Sequence, residues 1–306
     1  MTGGRFDGRV SRPYDGGMPQ PPLTVYYSPA YAVDGMMETV SKSKLVASLI
    51  EAGEAGEVWL EAPKPVTRQE LELIHEAEYV RHTLEDKGAF LEVGPWSQPL
   101  VDSILASTGG MRDAVKEALK NGRSGSLSSG LHHARRSSGN GLCQFNGLAL
   151  AALEALKKVK TVGILDLDAH AGGGTFDILG DHKQVYLADV TVDSFDSWEP
   201  SDPARHFYVE VAKPKDYLRH VEDALLSLER VDFLIYNAGM DTYEKAGGMK
   251  GITKGMILKR EKRVVEWARA RKIPHVFALA GGYKWDGLTL QQVAELHLET
   301  VKAFAA

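Results

Sequence analysis

The chain has 306 residues, of which 43% are hydrophobic and 25% are charged, a composition typical of a globular protein that can bury a sizeable core. Its formal net charge of -5 and its pI of about 6.1 give no reason to expect direct electrostatic binding to nucleic acid or to an anionic membrane. The one cysteine, Cys143, excludes an intrachain disulfide and a cysteine-rich zinc site, and it favours a reducing compartment, by default the cytoplasm.

The first 22 residues, "MTGGRFDGRVSRPYDGGMPQPP", predict a flexible N-terminal arm. They lack the apolar core of a secretory signal, and no apolar run along the chain approaches the roughly 20 residues needed to span a bilayer. No linker rich in proline or serine and no internal repeat divides the remaining sequence. Residues 23–306 are therefore predicted to form one domain.

The predicted elements alternate between strand and helix. Short β-branched or aliphatic runs predict strands at residues 23–27, 57–62, 161–168, 184–190, 231–239 and 275–282. Stretches with helical periodicity lie between them, at residues 41–56, 98–122, 145–160, 214–231 and 253–272. Since the strands are apolar throughout, this pattern predicts an α/β protein with a mostly parallel sheet and helices on both faces, a three-layer αβα architecture. Ligands of such sheets bind where loops leave the carboxyl ends of the strands.

Acidic and imidazole side chains end the strand predicted at residues 161–168, in "VGILDLDAHAGGGTFDIL". Asp166, Asp168 and His170 stand at alternate positions, and alternate residues of an extended strand point to the same side. A purely structural interpretation is also open, in which Asp168 begins a turn and His170 is solvated. The glycines that follow do not form a phosphate-binding G-x-G-x-x-G motif, because Asp177 takes the place of the third glycine.

A carboxylate and an imidazole on one side suit a metal such as Zn²⁺, which binds His nitrogen and Asp oxygen. A catalytic zinc site has three protein ligands and keeps one position open. Asp241, in "DFLIYNAGMDTYE" just beyond another predicted strand, is the candidate third ligand. A lone aspartate more commonly caps a helix or begins a turn, so the metal site depends on the three residues together.

Metal-assisted hydrolysis also needs a group that transfers protons and a group that polarises the carbonyl. His132 and His133 are the only tandem histidines of the chain, in the glycine-rich segment "SSGLHHARRSSGNGLC". Tyr283 stands just beyond a further predicted strand, in "ALAGGYKW". Paired histidines are often surface residues and Gly-Gly-Tyr is often only a turn, so neither segment is specific alone.

These four segments, in this order, resemble the motifs of the zinc-dependent histone deacetylase family of the arginase-deacetylase fold. "GLHHARRSSGNGLCQFNGLALAA" is similar to the family's G-H-H-A…G-F-C-x-x-N segment, and "LDLDAHAGGGTFDI" is similar to D-x-D-x-H-H-G-N-G-T. "NAGMD" and "LAGGY" match the A-G-x-D and G-G-Y segments. The resemblance runs from about residue 41 to the C-terminus, and "VGPWSQPLVDSILASTGG" further resembles a bacterial branch similar to the class IV deacetylases.

The resemblance implies that Asp168, His170 and Asp241 bind zinc and that the chain hydrolyses an acylated amine, most simply an acyl-lysine, with metal-activated water. It also implies a structural potassium ion at the backbone of the turn around Asp166.

The resemblance assigns catalytic roles as well. His132 and His133 would be the proton-transfer pair, and Tyr283 would donate a hydrogen bond to the acyl carbonyl. Asp166 would lie behind His132 and hold its tautomer and orientation.

Two positions depart from the family pattern. The residue after His170 is usually a second histidine but is Ala171 here. Three residues beyond His170 the family usually has an Asp or Asn that partners the second tandem histidine, but this position is Gly173. We therefore expect His133 to lack its usual partner, and activity to be slower or shifted in pH optimum, unless another carboxylate such as Asp189 reaches the site.

Two rival functions stay open. Binuclear manganese ureohydrolases share the fold, and "DAHA" resembles their D-A-H-x-D, but Gly172 stands where the last Asp is needed and Asp241 is single where a D-x-D pair is expected. A non-catalytic acyl-lysine binder is favoured by the gaps at Ala171 and Gly173 and disfavoured by the retained ligands, both histidines and Tyr283. The acyl group, the amine that carries it and homo-oligomer formation are also left open.

Overall fold

A computed structural model of the chain describes residues 21–33, 38–200 and 207–306. Most of the predicted N-terminal arm, residues 1–20, lies outside these ranges. The strands of the described residues are, in chain order, β1 (Leu23–Tyr26), β2 (Val58–Glu61), β3 (Phe90–Leu91), β4 (Gly94–Pro95), β5 (Arg123–Ser126), β6 (Val162–Asp166), β7 (Val185–Thr191), β8 (Phe207–Val211), β9 (Phe233–Ala238) and β10 (His275–Leu279).

Eight of these strands form one sheet in the order β2-β1-β5-β10-β9-β6-β7-β8. Every neighbouring pair of this sheet is parallel, which confirms the predicted architecture. The short strands β3 and β4 pair with each other as an antiparallel ribbon.

Helices cover both faces of the sheet. They are α1 (Lys42–Glu51), α2 (Arg68–Leu71), α3 (Ala77–Glu85), α4 (Gln98–Asn121), α5 (Gly147–Leu156), α6 (Gly173–Leu179), α7 (Tyr217–Ser227), α8 (Lys254–Ala270) and α9 (Leu290–Ala305). The apolar sides of α1, α7, α8 and α9 share one hydrophobic cluster, and those of α2 to α6 share the other. Strand β9 shows the division, because Leu234 and Tyr236 pack into the first cluster and Phe233 and Ile235 into the second. No helix of the described residues is long and apolar enough to cross a membrane.

The ends of the longer helices follow from their sequence. The Ser97 hydroxyl accepts the Leu100 N–H at the start of α4. Gly122 follows the last residue of α4 with a left-handed φ of 85°, a conformation that costs glycine little because it has no Cβ. At α9, Thr289 and Gln292 form a reciprocal capping box. The helices predicted at residues 98–122 and 253–272 are confirmed as α4 and α8.

Three central strands determine where the candidate site lies. Strands β10, β9 and β6 are neighbours, and their carboxyl ends therefore meet at one edge of the sheet. The segments that follow them contain the predicted Tyr283, Asp241, and the pair Asp168 and His170. The next strand of the sheet, β5, leads into the loop with the tandem histidines.

Candidate active site

The acidic turn after β6 is built from two overlapping hydrogen-bonded turns. The strand ends at Asp166, so the alternation of an extended strand does not reach His170, and that reason for their convergence was wrong. Instead, Asp166 Oδ1 accepts the N–H of Asp168 at 3.1 Å and Asp168 Oδ1 accepts the N–H of His170 at 3.1 Å. Aspartate makes such bonds to the backbone two residues ahead, and here they turn the chain so that both carboxylates and the imidazole face the same edge of the sheet.

Asp241 joins this turn to the segments after the two neighbouring strands. Its Oδ1 accepts the Ala169 N–H at 3.0 Å, while Asp168 Oδ2 accepts the Gly281 N–H at 2.7 Å. One ligand atom each of Asp168, His170 and Asp241 lies within 4.8 Å of the other two. The structure therefore brings the three predicted metal ligands together.

The electrostatics of these three residues suit a cation. Burial, followed by the charge of Asp168, raises the pKa of Asp241 to about 8, and Asp241 Oδ2 is buried without a hydrogen-bond partner among the described residues. A buried carboxylate oxygen without a donor is unfavourable unless a positive charge compensates it. The ring of His170 is 30% exposed, so the same cluster has one side open. The residues present therefore fit a metal ion with two carboxylate ligands and one imidazole ligand.

Glycines give the carboxylates the space they need. A Cβ at Gly281 would lie 1.8 Å from Asp241 Oδ2 and 2.7 Å from Asp168 Oδ2. A Cβ at Gly239 would lie 2.5 Å from Asp168 Cα and 2.9 Å from Asp241 Oδ1. No side chain can start at either position without moving a carboxylate.

A polar scaffold holds the tandem-histidine loop against the acidic turn. Asn146 caps α5 through its Oδ1, and its Nδ2 donates to the carbonyls of His132 and Ala134. Thr175 donates its backbone N–H to the same His132 carbonyl at 2.9 Å. His75 is 3% exposed and contacts the Arg135 carbonyl and the Asn146 N–H through its two nitrogens. The backbone of the loop is therefore fixed from several elements.

His132 is held by the first residue of the acidic turn. Its Nδ1 lies 2.8 Å from Asp166 Oδ2, and because a carboxylate only accepts, Nδ1 carries the proton and Nε2 points away from Asp166. Burial alone lowers the pKa of His132, but the charges of Asp166 and Asp168 outweigh it and raise that pKa to about 10. A cation bound to Asp168 would weaken this field.

His133 lacks the usual partner at position 173, as expected, but another carboxylate reaches it, and this carboxylate is Asp196 rather than the suggested Asp189. The His133 Nδ1 lies 2.8 Å from Asp196 Oδ2, on the segment that follows β7. Burial and the neighbouring charge of His132 lower the pKa of His133, which favours the neutral ring, and Asp196 opposes them. Asp189 does not reach His133, because its Oδ2 instead accepts the N–H groups of Gly172 and of the Trp198 indole, both at 2.8 Å.

Tyr283 lines the same pocket as both tandem histidines and as Asp168 and His170. Its backbone N–H donates to the Ala246 carbonyl at 3.0 Å. Burial, with the charges of Asp241 and Asp168, raises the pKa of its phenol well above its usual value. The hydroxyl therefore stays protonated and can donate a hydrogen bond.

Three residues at or beside this site were not predicted from the sequence. Asp196 and Phe195 follow the end of strand β7, and this position after a strand end is the signal that could have identified them. The Phe195 ring packs edge-on against His133 and His170, with centroids 5.1 and 5.5 Å apart. Lys42 is 2% exposed and donates to the Ala280 carbonyl; burial lowers its pKa to about 8, against the charges of Asp241 and Asp168. The sequence signal for Lys42 is its position on the side of α1 that carries the buried residues.

A parallel αβα sheet with these motifs at its carboxyl edge defines a protein of the arginase-deacetylase fold. The histone deacetylase domain family matches residues 36–301, and the chain belongs to this family. It is therefore a deacetylase by family, as the sequence motifs predicted. Among solved structures, the HD domain of HDA15 shares the fold, with a TM-score of 0.76 over 94% of this chain and 90% of that chain, at 18% identity.

Relatives of known sequence span most of the chain. An uncharacterized protein of Picosynechococcus sp. is 31% identical over 72% of this chain and 77% of its own length. Histone deacetylase 2 of Arabidopsis thaliana is 26% identical over 87% of this chain and 76% of its own length. A probable deacetylase of Methanothermobacter thermautotrophicus is 26% identical over 56% of this chain and 54% of its own length.

Proposed function

We propose that this chain is a zinc-dependent amidohydrolase that removes an acetyl or other acyl group from an acylated amine, with acyl-lysine as the first candidate substrate. The observation that carries the proposal is the cluster of Asp168, His170 and Asp241, with both aspartates buried, in which one carboxylate oxygen has no hydrogen-bond partner among the described residues. Family membership supports the deacylation chemistry, and this donor set suits zinc.

The metal would be held by Asp168, His170 and Asp241. A zinc ion bound there supplies Lewis acidity, which polarises the amide carbonyl and makes water a stronger acid. The partly exposed side of His170 leaves access for the acyl group.

His133 is the proposed base toward the attacking water. The Nδ1 proton of a neutral His133 is directed to Asp196 at 2.8 Å, so its Nε2 lone pair is free to accept a proton. Burial keeps the ring neutral by lowering its pKa. A neutral imidazole with a fixed tautomer is the form in which histidine acts as a general base.

His132 is the proposed partner in proton transfer. Its ring lies 3.8 Å from that of His133, centroid to centroid, and the Asp166 carboxylate stabilises its charged form. A second imidazole at this distance gives the site an acid next to its base, and the leaving amine needs a proton.

Tyr283 is proposed to donate its phenol O–H to the carbonyl oxygen as negative charge develops there. The raised pKa of the phenol supports this role, because a deprotonated tyrosine could only repel the oxyanion.

The two rival functions receive less support. A binuclear manganese site needs further carboxylates, and the described residues contain one cluster of His, Cys, Asp and Glu side chains with metal-ligand geometry. A non-catalytic binder was favoured by the gaps at Ala171 and Gly173, and Asp196 supplies the carboxylate that Gly173 does not.

The biological context of this activity is also a proposal. We propose a cytoplasmic enzyme, supported by the single free Cys143, with an acylated lysine or small acylated amine as its partner. A structural potassium ion at the turn around Asp166 and a homo-oligomer stay expectations at family level.

The deciding experiment combines metal analysis with an acyl-chain series on fluorogenic lysine substrates. We expect one zinc per chain and zinc-dependent turnover. Asp168→Asn should lose both metal and turnover, whereas Tyr283→Phe should keep the metal and lose on the order of 100- to 1000-fold in kcat. Asp181→Asn, at an exposed carboxyl, and Tyr208→Phe, on the outer strand β8, are the matched controls. Two manganese ions per chain, or no zinc-dependent turnover with any acyl group, would overturn the proposal.

A further inference from the structure

Position 173, at the start of α6, has no side chain, and Asp196 from another segment fills its space. A Cβ at Gly173 would lie 2.4 Å from the Asp196 carbonyl oxygen, 2.5 Å from Asp196 Oδ1 and 2.6 Å from Asp196 Cγ. A residue larger than glycine at 173 would therefore require both the backbone and the side chain of Asp196 to shift. The same carboxylate binds His133.

We propose that Asp196 is the positioning residue of His133 and that Gly173 is glycine because Asp196 occupies its place. A carboxylate supplied from the segment after β7 would thus do what a side chain on the acidic turn does elsewhere in the family. This inference deepens the proposed function and rests on it for its catalytic part. Its structural part, the pairing itself, can be measured without turnover.

The contacts of Asp196 are those of a carboxylate built into a site. Its side chain is 2% exposed. One oxygen receives His133 Nδ1–H and the other receives the Arg135 guanidinium. Both oxygens of the carboxylate therefore have a donor. A buried ion with this set of partners has a defined position.

The segment that presents Asp196 is tied to the acidic turn at both of its ends. The Phe195 carbonyl accepts the Ala171 N–H at 3.2 Å, and the Trp198 indole donates to Asp189, which also holds Gly172. These two ties lie on either side of Asp196.

The backbone at Asp196 is also specific. Its φ is 55°, in the left-handed region that aspartate, asparagine and glycine adopt more readily than other residues. Asparagine and glycine are therefore the substitutions that test the side chain without disturbing the loop.

Without Asp196 the buried ring of His133 would lose the acceptor that fixes its tautomer. The Nδ1 and Nε2 tautomers would then compete, and a ring protonated at Nε2 cannot accept a proton from water at that atom. A residue that orients a functional histidine in this way typically contributes about 10- to 100-fold to activity. The loss should fall on kcat, because the orientation matters for the transition state more than for substrate binding.

The test uses the zinc-loaded full chain and four variants. Asp196→Gly should lose about 10- to 100-fold in kcat with little change in KM, and Asp196→Asn, a neutral acceptor, should recover part of the loss. Gly173→Asp should also be impaired, because its Cβ would meet the backbone carbonyl and the carboxylate of Asp196. Asp181→Asn is the surface control for loss of one carboxylate.

Two further measurements separate positioning from folding. Thermal unfolding identifies any variant that fails to fold, and the isosteric Asp196→Asn covers that case. In ¹⁵N spectra of the imidazoles, we expect His133 to be protonated at Nδ1 in the zinc-loaded wild type and to become a mixture of tautomers in Asp196→Gly. Folded Asp196→Gly with wild-type kcat, or with an unchanged His133 spectrum, would overturn the inference.

Failure of the proposed function gives a different result. If the wild type hydrolyses no acylated amine, the reaction assignment falls, and the His133 spectrum alone then decides whether Asp196 holds the ring.

Discussion

At the scale of single residues, Gly281, the first of two glycines between β10 and Tyr283, leaves the space that the candidate metal site needs. A Cβ at Gly281 would lie 1.8 Å from Asp241 Oδ2, so Gly281→Ala should displace the carboxylate and weaken zinc binding. We expect a loss of affinity of at least about tenfold, measured by competition with a fluorescent chelator.

The control for this prediction is another glycine in ordinary surroundings. A Cβ at Gly255, near the start of α8, would meet only Thr253 Oγ1, at 3.8 Å. Gly255→Ala should bind zinc like the wild type. Equal affinity of Gly281→Ala and Gly255→Ala would contradict the assignment of Asp241 as a ligand.

The sequence predicted that the three metal-ligand candidates lie together, but not how they are held. Asp168, His170 and Asp241 could be found because strand ends of a parallel sheet converge, and the described structure brings them within 4.8 Å. Asp196 could not be assigned to His133, because 63 residues separate them and only the path of the loop after β7 brings the carboxylate to the ring.

At the scale of elements, helix α8 supports the site from behind through one buried cation. Arg260 is 0% exposed, and its guanidinium donates to the Leu167 carbonyl at 3.1 Å and to the Gly239 carbonyl at 2.7 Å. These carbonyls belong to the two segments that contain the metal-ligand candidates. Its charge is balanced by Glu261, 2.7 Å away.

Arg260→Met should therefore destabilise the fold and loosen both segments. Removing one partner of a buried ion pair typically costs about 3–5 kcal/mol, and the free energy of unfolding in urea measures it. Arg263→Met is the matched control, because Arg263 pairs with Glu222 where both side chains are over 40% exposed, and such pairs contribute about 0–1 kcal/mol. Equal effects of the two substitutions would contradict a supporting role for Arg260.

Two strands of the sheet were not predicted, for different reasons. Strand β5, "RSGS", has no apolar residue; it is buried because Ser124 and Ser126 bond to carbonyls of β1 and Gly125 faces the Phe277 ring. No pattern of hydrophobic residues can indicate such a strand. Strand β8, "FYVEV", does have a strand-like composition, so the sequence could have predicted this strand.

At the scale of the whole molecule, the faces of the sheet form the core and its carboxyl edge forms the candidate site. Its faces are apolar and each binds a layer of helices, while its carboxyl edge is polar and collects buried charges of both signs. Parallel strands are covered on both faces and read as continuous apolar runs, which is why composition and periodicity sufficed to predict the layers. The buried titratable groups outside the site depend on tertiary packing and could not be predicted.

Two of those groups predict how stability depends on pH. Burial is the largest cause that lowers the pKa of His75 and that of His275, each to about 4, whereas an unfolded histidine titrates near 6.5. The unfolded chain therefore binds more protons below pH 6.5, so stability present at neutral pH is lost as the pH falls toward 4, by on the order of 1–2 kcal/mol per group at pH 5. The free energy of unfolding, measured in urea at a series of pH values, should depend less on pH in His75→Gln than in the wild type. In His82→Gln, at an exposed histidine, it should depend on pH as in the wild type. A wild-type slope in His75→Gln would mean that His75 is charged in the folded protein.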